Sequence, residues 1–141
     1  MTYISDSLRR QVEKRAAHCC EYCVLPNGVS FYPHEIDHVI ATKHGGETIA
    51  DNLAYTCLRC NRHKGSDLGS FDPATGEFSF LFNPRTQVWF DHFYQEEGKI
   101  HGKTPEGRTT ANLLKFNTKN RIRERLRAPL SKATDAEQSR C

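Results

Sequence analysis

Residues 20–65 read CEYCVLPNGVSFYPHEIDHVIATKHGGETIADNLAYTCLRCNRHKG, and this stretch decides the fold. It contains two C-x-x-C pairs, Cys20 with Cys23 and Cys57 with Cys60. Two such pairs around a polar, histidine-rich segment indicate a structural zinc site, because four thiolates fill the tetrahedral shell of Zn²⁺. Disulfide bonds are the alternative interpretation, but they require an oxidising compartment. We therefore expect these four cysteines to bind one zinc ion.

The rest of the composition limits the class of protein. The chain has 141 residues, of which 37% are hydrophobic, and this length suits one domain rather than two large cores. No run of residues approaches the roughly 18 apolar residues of a membrane-spanning helix, and the N-terminus has no apolar stretch typical of a secretory signal. We therefore expect a cytoplasmic protein without a membrane partner. We assign no role to Cys19 or Cys141.

Positive charge is concentrated near the C-terminus, although the formal net charge is only +3 and a zinc tetrathiolate would offset most of it. Between residues 115 and 132, the cations outnumber a single acid, Glu124. Such a cluster suits the phosphate groups of nucleic acid, and a solvated helix face is the alternative. The cations are Lys115, Lys119, Arg121, Arg123, Arg125, Arg127 and Lys132.

Local patterns in the N-terminal half predict helices at both ends of a hairpin. Ser5 or Ser7 can cap a helix that runs to about Ala17. The alternation of polar and apolar residues over 35–40 predicts a strand. The second C-x-x-C pair should open a short helix, Leu58 to Lys64, that ends at Gly65.

The C-terminal half predicts a further strand followed by three helices. Residues 78–82 favour a strand, and residues 87–95 are predicted as a helix with aromatic core residues. Thr104 and Pro105 should start a helix to about Phe116, and Asn117 is predicted to cap a basic helix that ends at Leu126. We expect residues 1–70 to form the N-terminal helix and core, residues 71–128 an extension packed on the same domain, and residues 129–141 a disordered tail.

The cysteine-rich stretch resembles the HNH nuclease family in its order of motifs: C-x-x-C, D-H, G-G, D-N-L and C-x-x-C-N-x-x-K-G. The resemblance covers Cys20 to Gly65, about a third of the chain. It implies an α+β fold with a small, treble-clef-like ββα-metal core, in which a hairpin and a helix hold one catalytic divalent ion. The four-cysteine zinc would staple this core, and an N-terminal helix and a C-terminal extension of hairpin and helices would complete the fold.

The resemblance also implies roles for four side chains. His38 is expected as the general base, and Asp37 and Asn61 as ligands of the catalytic ion, with Asn61 in the position where the strict family pattern has histidine. Asn52 is expected to hold the loop and the ring of the base histidine. Because neighbouring residues on a strand point to opposite faces, Asp37 and His38 can serve one site only if the strand twists or bulges. The alternative roles are a surface acid for Asp37, a hydrogen-bonded strand histidine for His38, and a turn or helix cap for Asn52.

Helix geometry favours Asn61 over His63 as the second ligand. At about 100° per residue, Asn61 shares a face with Cys57 and Cys60, whereas His63 should point outward. We assign no catalytic role to the other histidines. Most of His34, His44 and His63 are expected at the surface, and His92 is expected in the core or at a cap. The predicted nucleic-acid contacts are Arg62, Lys64, Lys119, Arg121, Arg123, Arg125 and Arg127.

These residues together predict a metal-dependent endonuclease that hydrolyses DNA and leaves 5′-phosphate and 3′-hydroxyl ends. Hard oxygen ligands favour Mg²⁺ or Mn²⁺ as the catalytic ion. One active site per chain predicts nicking, and the sequence sets no expectation for the oligomeric state. The alternative is a non-catalytic zinc finger that binds nucleic acid or a protein partner, which would need none of Asp37, His38 and Asn61.

Overall fold

The computed structural model describes residues 3–128, so the prediction for residues 129–141 lies outside the described part of the chain. Helices and short antiparallel strand pairs alternate along it, which confirms the α+β class. The helices are α1 (Asp6–Arg15), α2 (Leu58–Lys64), α3 (Trp89–His92), α4 (Pro105–Leu113) and α5 (Lys119–Arg127). The strands are β1 (Glu35–His38), β2 (Leu53–Thr56), β3 (Gly69–Phe71), β4 (Phe78–Phe80), β5 (Phe93–Glu96) and β6 (Lys99–Gly102). Within residues 3–128, every helix is too short or too polar to cross a bilayer.

The central unit is the hairpin of β1 and β2 followed directly by α2. The strands pair antiparallel in a continuous register that sets Glu35 opposite Thr56 and His38 opposite Leu53. Cys57 follows β2 and caps α2, since its Sγ accepts the backbone N–H of Cys60 at 3.4 Å. The helix spans Leu58–Lys64 and is followed by Gly65, as predicted.

Helix α1 packs on the outer side of this unit. The hydroxyl of Ser5 accepts the backbone N–H of Leu8 at 3.1 Å, which confirms the predicted cap. Val12 is fully buried against Leu53 and Tyr55 of β2. The helix ends at Arg15, slightly earlier than predicted.

The extension differs from the prediction over residues 87–95. Only the single turn of α3 is helical there, because Phe93 begins β5, which pairs with β6 around a tight turn at Glu97 and Gly98. Both turn residues have positive φ, 50° and 80°, as a two-residue hairpin turn requires. Phe93 is fully buried, so its aromatic bulk serves the core from a strand rather than from a helix.

The cap of α5 also differs from the prediction. Thr118 caps this helix by accepting the backbone N–H of Arg121. The side chain of Asn117 instead pairs with the backbone of Ile100, accepting its N–H at 2.9 Å and donating to its carbonyl at 2.8 Å. Asn117 therefore ties the start of α5 to β6.

The extension and the cysteine pairs share one hydrophobic core. The Phe93 ring lies 5.3 Å from that of Phe82 and 5.7 Å from that of Phe116, centroid to centroid. The same cluster contains Tyr22, which is fully buried between the cysteines of the first pair. Its other buried members are Cys20, Cys23, Leu25, Val39, Ala54, Cys57, Cys60, Leu81, Ile100 and Leu114.

Candidate metal centre and nuclease site

The four predicted zinc ligands converge in the core. The Sγ atoms of Cys20, Cys23, Cys57 and Cys60 all lie within 4.8 Å of one another, and all four residues are buried. The Sγ atoms of Cys23 and Cys57 are 3.6 Å apart. A tetrahedral zinc with Zn–S bonds of about 2.3 Å separates its sulfurs by about 3.8 Å. The four thiols are free of disulfide bonds, so their arrangement fits a structural zinc.

Local hydrogen bonds orient the thiols and perturb their titration. The backbone N–H groups of Cys23 and Cys60 each donate to the first sulfur of their own pair at 3.4 Å. Hydrogen bonds from the neighbouring cysteines, above all from Cys20, lower the pKa of Cys23 well below its usual value. Burial raises the pKa of Cys20 and Cys60. Negative charge in so buried a cluster requires a nearby cation.

Arg121 of α5 supplies that cation. Its guanidinium Nη2 lies 2.9 Å from Cys60 Sγ and 3.6 Å from Cys57 Sγ. Nη1 donates to the carbonyl groups of Leu114 and Lys115, where α4 ends. Burial opposes its charge, but the cysteine sulfurs raise the pKa of Arg121 further above its already high value. The guanidinium therefore joins the zinc cluster to the last two helices.

Burial corrects the nucleic-acid role predicted for two residues of the basic run. Arg121 is only 3% exposed and Arg125 only 6%. Arg125 donates to the backbone carbonyls of Gly98 and Phe116, at 2.6 and 2.5 Å. Neither guanidinium is presented to a phosphate, because both are used inside the protein.

A second polar cluster lies between β1 and α2. Glu35 and Asp37 are two residues apart on β1 and both contact side chains of α2. The Nδ2 of Asn61 donates to Glu35 Oε1 at 2.6 Å, and the ammonium of Lys64 lies 2.9 Å from Asp37 Oδ2. We call these four residues the β1–α2 polar cluster. It contains both predicted ligands of the catalytic ion, each with a different partner, and adds Glu35, which sequence reasoning missed although it lies on the same strand face as Asp37.

Lys64 is an internal cation rather than a surface contact for phosphate, which corrects its predicted role. It is 2% exposed, and its ammonium also donates to the backbone carbonyl of His38 at 3.0 Å. Burial raises the pKa of Asp37, while Lys64 opposes that rise. The ammonium lies 2.9 Å from Asp37 Oδ2, so this carboxylate oxygen is paired with a buried cation.

The donor set of this cluster suits a hard divalent ion that keeps part of its water shell. Asn61 uses its N–H on Glu35, which leaves its Oδ1 as the atom for a cation. Asp37 offers its carboxylate Oδ2, which an ion would share with the Lys64 ammonium. Within residues 3–128, the zinc cluster is the only group of three or more His, Cys, Asp or Glu positioned to share a metal. An ion here would therefore complete its shell with water or substrate, as Mg²⁺ does.

His38 is the last residue of β1 and contacts a different partner from Asp37. Its ring Nε2 lies 2.9 Å from the hydroxyl of Thr48, and the side chain is half-buried. The strand register is continuous through both residues, so Asp37 contacts α2 while His38 contacts the loop after the strand. Thr48 was missed from the sequence, which carries no signal for it.

The side chain of Asn52 makes hydrogen bonds to the loop that lies between His38 and Thr48. Its Nδ2 donates to the carbonyls of Ile40 and Glu47, at 2.9 and 2.8 Å, and its Oδ1 accepts the N–H of Ile40 at 2.9 Å. Gly46 makes this packing possible, because a Cβ there would lie 1.7 Å from the Ile40 oxygen. Asn52 therefore joins the two ends of the loop, at Ile40 after His38 and at Glu47 before Thr48.

The remaining histidines have structural or solvent-facing positions. His63 is exposed on α2, which agrees with the predicted register. His34 is buried, with Nε2 2.7 Å from the carbonyl of Leu25. His92 contacts the hydroxyl of Thr104 at 2.6 Å, at the cap of α4.

Residues 20–67 match the family model described as HNH endonuclease. The match spans both cysteine pairs, the β1–β2 hairpin and α2, which is about a third of the chain. This confirms the resemblance seen in the motifs and indicates nuclease activity in general. No curated protein and no solved structure gives a significant match to the chain.

Proposed function

We propose that this protein is a metal-dependent endonuclease that hydrolyses phosphodiester bonds of DNA. One observation carries the proposal: within the matched segment, the half-buried imidazole of His38 ends the same strand that sets Glu35 against Asn61 and Asp37 against Lys64 of α2. Phosphodiester hydrolysis requires a base and a divalent ion at one site. Because the register of β1 is continuous through Asp37 and His38, the proposal relies on the twist of this short hairpin to turn both side chains towards one phosphate.

In this proposal, His38 takes a proton from water, whose oxygen then forms a bond to phosphorus. The bond from phosphorus to the 3′ oxygen breaks, and that oxygen gains a proton from solvent. The products are a 5′-phosphate and a 3′-hydroxyl. Asp37 and Asn61 would hold Mg²⁺ or Mn²⁺, which supplies Lewis-acid stabilisation of the phosphate charge. Lys64 holds the backbone carbonyl of His38 itself, and Asn52 holds the backbone of Ile40, two residues further along the chain.

The DNA backbone would be held by cations that remain at the surface. Lys119, Arg123 and Arg127 are exposed and follow one another at every fourth position of α5, so they share one helix face. We call them the α5 basic stripe. Arg62 on α2 is also exposed. Such contacts with phosphates provide affinity without reading base sequence.

The decisive experiment follows supercoiled plasmid with added Mg²⁺ or Mn²⁺. We expect wild-type protein to produce nicked circles and His38→Ala to be slower by roughly a hundredfold or more, the usual contribution of a general base. His63→Ala is the matched control, because it removes an exposed imidazole from the same domain. Equal zinc content must be established for all three proteins. Nicking by His38→Ala at the wild-type rate would exclude this mechanism.

A non-catalytic zinc module that binds nucleic acid is the second candidate. It is favoured by the Lys64 ammonium, which already places a positive charge 2.9 Å from Asp37 Oδ2. Such a module would bind DNA equally well with and without Mg²⁺ and would leave the plasmid supercoiled. The plasmid experiment therefore separates the two candidates.

A further inference from the structure

The hydroxyl of Thr48 is the side-chain partner of the proposed base. Its oxygen lies 2.9 Å from Nε2 of His38, and this is the only hydrogen bond that the Thr48 side chain makes within residues 3–128. The two residues are ten positions apart along the chain. The contact therefore depends on how the loop between them is held.

Asn52 fixes the backbone on both sides of Thr48. Its Nδ2 donates to the carbonyl of Glu47 at 2.8 Å, and its backbone N–H donates to the carbonyl of Ile49 at 2.9 Å. At the other end of the loop, the Asn52 carbonyl accepts the backbone N–H of Val39 at 2.8 Å. The β-branched side chain of threonine has few rotamers, so a fixed backbone leaves its hydroxyl little freedom.

The second ring nitrogen of His38, Nδ1, is open to water. It makes no hydrogen bond within residues 3–128, and it is absent from the buried side-chain atoms of this range that lack a partner. A neutral imidazole carries a proton on one nitrogen and a lone pair on the other. A base needs its lone pair on the nitrogen that meets water, which here is Nδ1. The ring proton must then lie on Nε2, the nitrogen beside Thr48.

We propose that Thr48 is a positioning residue for His38. Its hydroxyl oxygen accepts the Nε2–H, which keeps the lone pair on Nδ1 and directs that nitrogen toward the attacking water. This inference rests on the proposed nuclease function. If the hydroxyl instead donated to Nε2, the ring proton would lie on Nδ1, and the exposed nitrogen could not accept another. When Nδ1 takes the proton of water, the ring becomes a cation, and its hydrogen bond to Thr48 is strengthened.

Nicking rates separate the hydroxyl from the shape of the side chain. Thr48→Val keeps the branched shape without the hydroxyl, and Thr48→Ser keeps the hydroxyl. We expect Thr48→Val to lower the single-turnover rate of plasmid nicking by about tenfold or more, because the base loses its orientation. Thr48→Ser should restore most of the rate. Affinity for duplex DNA without added divalent ion should be unchanged in both variants. Thr42→Val, which changes an exposed threonine of the same loop, is the matched control.

The tautomer of His38 provides a readout that does not depend on activity. In zinc-loaded full chain labelled with ¹⁵N at histidine, the protonated ring nitrogen resonates far from the one with the lone pair. At about pH 8.5, where histidine is ordinarily neutral, we expect the proton on Nε2, with an N–H signal protected from exchange by the hydrogen bond. Thr48→Ser should keep this protected signal, and Thr48→Val should lose it. The spectrum of His38→Ala identifies the signal among the seven histidines of the chain.

The outcomes distinguish this inference from the proposed function. A ring proton on Nδ1 in the wild type would overturn the inference, as would nicking by Thr48→Val at the wild-type rate or a Thr48→Ser variant as slow as Thr48→Val. If Thr48→Val does not bind zinc as the wild type does, Thr48→Ala takes its place. A zinc-loaded wild type with the proton on Nε2 that does not nick DNA would overturn the proposed function, and with it the catalytic role of Thr48, although the hydrogen bond itself would stand.

Discussion

Two clusters share helix α2, and each places a buried cation against groups that carry negative charge. The zinc cluster uses Cys57 and Cys60 at the start of the helix, with Arg121 as its cation. The β1–α2 polar cluster uses the following turn, where Lys64 faces Asp37. Arg121 lies 61 residues from Cys60 along the chain, whereas Lys64 belongs to α2 itself. The zinc cluster therefore depends on the extension, while the polar cluster forms within the ββα unit.

The largest expected effect is loss of the zinc cluster. Cys60→Ser should unfold the protein, because the four cysteines lie inside its main hydrophobic core and a domain of this size gains much of its stability from the metal. Metal analysis should give one zinc per folded wild-type chain. Circular dichroism should show loss of the folded signal in the variant, and removal of zinc with a chelator should do the same. A folded wild-type protein without zinc would contradict the prediction.

The next effect distinguishes the polar cluster from the exposed side of α2. Asn61→Ala should reduce plasmid nicking by about a hundredfold, because it removes a proposed ligand of the catalytic ion while zinc remains bound. His63→Ala, on the solvent side of the same helix, should leave the rate near that of the wild type. Excess Mn²⁺ should partly restore Asn61→Ala. The reverse order of the two variants would show that the ion does not bind between β1 and α2.

The same two clusters show what could be predicted from the sequence. The cysteine ligands and the ends of α2 were predictable because ligand spacing and capping are local properties of residues 57–65. The buried cation of the zinc cluster, Arg121, could not be predicted, because the spacing of the cysteines does not reveal it. Arg121 and Arg125 belong to a run of cations in which nothing marks them as buried, since their partners are sulfurs and carbonyls distant in sequence.

The β5–β6 hairpin was missed for a related reason. Residues 87–95 are rich in aromatic side chains, which fill a core equally well from a helix or from a strand. The strand is set by the turn at Glu97 and Gly98 and by the pairing of Asn117 with Ile100. In the candidate nuclease site, Lys64 could not be recognised as internal until β1 was placed beside α2.

A smaller effect is expected when the cation of the zinc cluster is changed. Arg121→Met should speed the release of zinc to a chelator by about tenfold, a typical effect of losing a hydrogen bond to a metal ligand. Arg121→Lys should release zinc at an intermediate rate, because it retains the charge but loses the planar fork that reaches Cys60 and the end of α4 together. Arg123→Met, on the exposed side of α5, is the control. Equal release rates in all variants would mean that the zinc cluster does not depend on the extension.

The smallest effect concerns the outer face of α5. Replacing all three residues of the α5 basic stripe with glutamine should lower the dependence of duplex-DNA affinity on salt, by about 0.9 in the logarithmic slope for each phosphate that the protein no longer neutralises. Zinc release should stay unchanged, because Arg121 and Arg125 occupy the inner face. The matched control replaces Arg9, Arg10 and Lys14, which are exposed on α1, with glutamine and removes the same charge. Equal slopes in the two triple variants would mean that the α5 basic stripe is an ordinary solvent-exposed helix face with no role in DNA binding. A lower slope in the stripe variant alone would show that α5 binds nucleic acid from one side while it supports the zinc cluster from the other.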